Sequence, residues 1–72
     1  MDAKQEIIGR VRQIDDLRAQ VSHHWSMARD CVNSGDIDAA IPLLNAYFTL
    51  KEQLEGVESR FRGMLKGQFS DR

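Results

Sequence analysis

With a single cysteine, Cys31, the chain cannot close an intrachain disulfide. No apolar run approaches the ~20 residues that a bilayer-spanning helix requires. Neither charge sign prevails, because ten basic and eleven acidic residues leave a formal net charge of -1. Nothing in that balance demands a polyanion or a basic substrate. Met1 to Glu6 is polar and carries both charge signs, unlike a secretory signal. The expected compartment is therefore the cytosol, and a free thiol agrees with it.

Seventy-two residues make a single domain, 1–72. A chain this short struggles to bury enough apolar surface to offset its conformational entropy. Without disulfide or metal, a partner or self-association must supply the rest.

The strongest punctuation is Asn33-Ser34-Gly35-Asp36. Asn, Ser and Gly favour turns, and Gly35 can take the left-handed conformation that ends a helix. Asp36 or Asp38 can then cap the next helix by accepting its free amide hydrogens. The chain is predicted to be all-α: an antiparallel two-helix hairpin with coiled-coil-like packing and helices over about 3–32 and 37–66. The only proline, Pro42, cannot donate to the carbonyl four residues back. With Asp38 as cap it falls in the first turn; with Asp36 as cap a kink near Asp38 is expected. The tail from about Gly67 is expected to be loose.

Spacings alternating between four and three trace the seam along which packed helices meet. In the first helix it runs Ile7, Val11, Ile14, Arg18, Val21, Trp25, Ala28, Val32. Arg18 interrupts it, and Leu17 beside it can fill the gap while the arginine stem snorkels. In the second helix the seam runs Ala40, Leu43, Tyr47, Leu50, Leu54, Val57, Phe61, Met64, with no charged position. The predicted hairpin core is Val11, Ile14, Val21, Trp25, Tyr47, Leu50, Leu54, Val57 and Phe61. Trp25 and Tyr47 each carry a polar atom that wants a partner, so either is also a candidate interface anchor.

Helix two carries a second apolar stripe, Ile37, Ile41, Leu44 and Phe48, confined to its N-terminal half. One facing helix buries a seam but not so wide an arc. Met27 and Cys31 add to the apolar end. Between Asp30 and Lys51 there is no basic residue, and the only acids are Asp36 and Asp38. The turn-proximal end is thus expected to be a docking face. Its candidate partner-binding residues are Ile37, Ile41, Leu44 and Phe48. The occupant is either a different helical protein or a second copy, the latter giving a homodimeric four-helix bundle.

Chemistry finds little support. His23 and His24 are adjacent, so on a helix they point about 100° apart and cannot chelate one ion together. Cys31 has no base and orienting group placed to activate it. The acids Asp15, Asp16, Glu52, Glu55 and Glu58 suit a solvated helix face. No strand exists to carry a phosphate-binding glycine loop. No enzyme activity, metal or cofactor is expected. Lys4, Arg10, Arg12, Arg60, Arg62 and Lys66 gather at the far end, where they could meet phosphates across the hairpin. Nearby Glu6, Asp15 and Glu58 dilute that patch, so RNA or DNA binding is the lesser alternative.

Arg29 to Asp36 reads R-D-C-V-N-S-G-D, and Leu50 to Phe61 reads L-K-E-Q-L-E-G-V-E-S-R-F. This turn with its following aliphatic-Glu helix resembles the small helical co-chaperones of type III secretion systems, over about half the chain. The resemblance implies a cytosolic complex with a helical-repeat chaperone and the needle subunit, kept monomeric before export. In it, this chain would stabilise the repeat chaperone through Ile37, Ile41, Leu44 and Phe48. Pro42 departs from that family's pattern.

Overall fold

The structure, a computed structural model, describes the backbone of residues 3–69 and the side chains of residues 4–67. It is an antiparallel hairpin of two helices, α1 over Ala3–Asn33 and α2 over Ile37–Phe69. The tail expected to be loose from Gly67 is helical to Phe69, and residues 70–72 lie outside the described residues.

The turn is built as its sequence demands. Gly35 has φ +84°, the left-handed region that a side chain resists. The Gly35 amide donates to the Val32 carbonyl at 3.0 Å, and the Asp36 amide donates to the Cys31 carbonyl at 2.8 Å. This pair of bonds is the Schellman closure, which satisfies two carbonyls left over at the end of α1. Asp36 also opens α2, because its Oδ1 accepts from the Ala39 amide at 3.2 Å. Asp36, not Asp38, is therefore the cap. Pro42 lies inside α2, which continues through it without a break. Pro42 is exposed, so water can reach the Asp38 carbonyl that lost its donor. Gly35→Ala keeps the hairpin but lowers its stability by about 1 kcal/mol, the cost of a left-handed alanine. Chemical denaturation measures it.

Among the described residues, the buried apolar side chains are Ile14, Ala28, Ala40 and Leu54. Around them, α1 turns inward Ile7, Arg10, Leu17, Val21, His24 and Cys31, all half-buried. On α2 the half-buried set includes Leu43, Tyr47, Leu50, Val57, Phe61 and Met64. The α2 seam matches the sequence pattern; the α1 seam is rotated. Positions 7, 14, 21 and 28 face in as expected. Their flanking row is 10, 17, 24 and 31, rather than 11, 18, 25 and 32. Val11 and Trp25, expected in the core, are exposed at 42% and 46%, and Val32 with them. The physical reason lies in size and charge. Ala28 and Ala40 are 1% exposed, so the helices approach closely near the turn and leave no room there for an indole. Rotating outward also frees Arg18 from the seam and lets smaller Cys31 enter it.

The molecule is a rod of 52 × 20 × 15 Å with a Cα radius of gyration of 16.3 Å. A compact domain of this length would have a radius of gyration near 11 Å.

Candidate functional site: an apolar two-helix face

The α1 rotation creates a face that the sequence pattern did not reveal. Heptad spacing puts Val11, Arg18, Trp25 and Val32 in one row along α1. Val11 and Arg18 share a shallow groove with Glu58, Arg62 and Leu65 of α2. Seven-residue steps back from Glu58 give Lys51, Leu44 and Ile37, and steps back from Arg62 give Glu55, Phe48 and Ile41. One side of the hairpin thus carries, toward the turn, Trp25 and Val32 from α1 beside Ile37, Ile41, Leu44 and Phe48 from α2.

Aromatic packing fixes its middle. The Trp25 and Tyr47 rings lie 5.2 Å apart at 46°. Tyr47 and Phe48 are 5.0 Å apart in an edge-on arrangement. Ile37, Ile41 and Phe48 are 52%, 51% and 55% exposed, while Leu44 is half-buried. Trp25 is therefore no core residue but a surface aromatic braced from behind. Met27, which the sequence pattern adds to the apolar end, lies in register with Gln13 and Gln20 on the opposite flank. Contiguous exposed apolar side chains of this kind make the face a candidate binding surface.

Away from the turn, the same side becomes charged. Arg18 Nη2 and Nε donate to one oxygen of Glu58, at 2.8 and 3.1 Å. Lys51 Nζ lies 5.8 Å from the centre of the Tyr47 ring. The Arg18 side chain is 63% exposed, so this ion pair contributes little in the isolated hairpin. Arg18→Ala is expected to change its stability by less than about 1 kcal/mol in thermal unfolding.

Arg12, Arg60 and Arg62 of the far end do not form one patch. Arg12 and Arg60 line a groove on one flank together with Asp16 and Glu52. Arg62 lines the other flank with Asp15, Arg18 and Glu58. Each flank therefore mixes acid with base.

His23 and His24 stand with ring centroids 6.0 Å apart and planes at 90°. His24 Nδ1 donates to the Gln20 carbonyl at 2.8 Å, which commits that nitrogen to the helix. Among the described residues, no three His, Cys, Asp or Glu side chains come together as a metal-sized group. Among the same residues no helix is long and apolar enough to cross a membrane.

Fold and face together define an elongated helical hairpin with one apolar side. No protein-family model matches the chain, and no curated protein or solved structure matches it either.

Proposed function

We propose that this chain is a non-enzymatic protein–protein interaction module whose turn-proximal face packs against helices of a partner in the cytosol. One observation carries the reading: Trp25, Val32, Ile37, Ile41 and Phe48 are all exposed, while few of the described residues are buried. Burying such a face stabilises a complex by about 25 cal/mol per Å² removed from water, before ordering costs.

The finer reading is a co-chaperone that stabilises a helical-repeat chaperone of a type III secretion needle subunit. It is supported by the turn and the Leu50–Phe61 pattern, and by a face of the right kind in the right half of the hairpin. Co-purification tests it. The chain is produced together with such a chaperone and needle subunit, and retains them. Failure of the native chain to retain them overturns the secretion reading. Retention by a chain carrying Ile41→Asp and Phe48→Asp overturns the assignment of the face.

A further inference from the structure

We propose that the apolar face is covered by a second copy of this chain, laid face to face with both turns at the same end, so that α1 of each copy packs over α2 of the other. This rests on the docking reading above and names the occupant of the same face in the free chain, one that a chaperone would have to displace.

The first support is area. A compact protein of 8.2 kDa exposes about 4,500 Å². This chain exposes 5372 Å², an excess of roughly 800 Å². About 800 Å² is also what each partner contributes to an interface of standard size. A face along the 52 × 20 Å side of the rod is large enough to supply it.

The second support is complementarity at matched heights. The ion pair puts Arg18 level with Glu58, and the ring contact puts Trp25 level with Tyr47. Val11 and Leu65 line one groove and mark a third level. A two-fold axis along the rod sets each α1 position opposite the α2 position of equal height in the other copy. Arg18 then faces Glu58 of the second copy, and Glu58 faces its Arg18. Four charges alternate in sign around the interface. Val11 meets Leu65, and Trp25 meets Phe48 of the second copy. Near the turns, Val32 meets the Ile37–Leu44 stripe. At these levels the pairing matches apolar with apolar and opposite charge with opposite charge.

The competing two-fold, across the rod, fails this comparison. At full overlap it lays the Ile37–Phe48 stripe of one copy on the Glu55, Glu58 and Arg62 region of the other. Charges would then be desolvated against apolar side chains. Sliding the copies until only the apolar halves meet leaves the interface with about half of its area.

The test combines mass, orientation and the intrinsic fluorophore. Sedimentation equilibrium should give twice 8.2 kDa at micromolar concentration. Trp25 is the only tryptophan and lies on the face, so its emission should shift to shorter wavelength as dilute protein is concentrated. In a Cys31→Ser background, Lys66→Cys carries a spin label near the open end of α2, where the side chain is exposed. Labels on the two copies should lie within about 25 Å, since packed helix axes are about 8–10 Å apart. A dimer whose label separation approaches the 52 Å length of the rod overturns the proposed orientation. A monomer with unshifted Trp25 emission overturns the second copy as occupant. If that monomer still binds an apolar dye, the docking reading survives; if it does not, both readings fall.

Discussion

A chain carrying both Ile41→Asp and Phe48→Asp should lose its association while keeping much of its helicity. The two side chains are 51% and 55% exposed in the single hairpin, so little of its own packing depends on them. The helical cost is small, because aspartate trails isoleucine and phenylalanine by only tenths of a kcal/mol in helix interiors. Position 41 also lies near the start of α2, where the helix dipole tolerates a negative charge. In the complex the balance reverses. Each replacement forfeits roughly 1.5–3 kcal/mol of apolar burial. Each also drives a carboxylate into a surface with no cation between Asp30 and Lys51 to meet it. Together they should weaken binding at least 100-fold, since about 2.8 kcal/mol already corresponds to two decades. Sedimentation or co-purification reads the loss, and far-ultraviolet circular dichroism reads the helicity. Asn45→Asp, also exposed on α2, is the control and should leave association unchanged. Equal loss with Asn45→Asp would mean that charge anywhere on α2, rather than the face, governs binding.

What the sequence revealed and what it hid follow from how local each determinant is. The hairpin and its turn were legible because Gly35 and Asp36 act on their own backbone neighbours: one supplies a positive φ, the other a carboxylate for the Ala39 amide. The α2 seam was legible because Leu43, Tyr47, Leu50, Leu54, Val57 and Phe61 have no apolar competitor over most of its length. The α1 seam was not. Rows 11, 18, 25, 32 and 10, 17, 24, 31 both complete a heptad with 7, 14, 21, 28. The first contains Val11, Trp25 and Val32 and wins on apolarity alone. The choice was made by the partner helix. Ala40 meets the seam with no bulk, and Arg18 reaches Glu58 only from the outside. Neither influence is visible within α1. That same rotation widened the candidate site, since it added Trp25 and Val32 to Ile37, Ile41, Leu44 and Phe48.

Leu54→Ala should unfold most of the protein at low concentration, and far less of it at high concentration. Among the described residues, Leu54 is the only large buried aliphatic side chain that α2 contributes to the core, at 9% exposure. Truncating a buried leucine to alanine costs about 2–5 kcal/mol, the larger values where the cavity cannot collapse. A two-helix rod can shift to close part of the gap, so the loss should fall near the lower end. That is still a large share of the stability available, because cores of this size rarely supply more than about 3–5 kcal/mol. Association opposes it by mass action: a second copy that binds only the folded hairpin adds RT ln(1 + [L]/Kd). The thermal midpoint of the Leu54→Ala chain should therefore rise steadily with protein concentration, monitored through Trp25 emission or circular dichroism. Combining Leu54→Ala with Ile41→Asp and Phe48→Asp removes both supports and should leave the chain largely unfolded at every concentration. If instead the midpoint of Leu54→Ala stays constant with concentration and the combined variant melts no lower, folding and association are uncoupled, and the exposed face contributes nothing to holding this hairpin together.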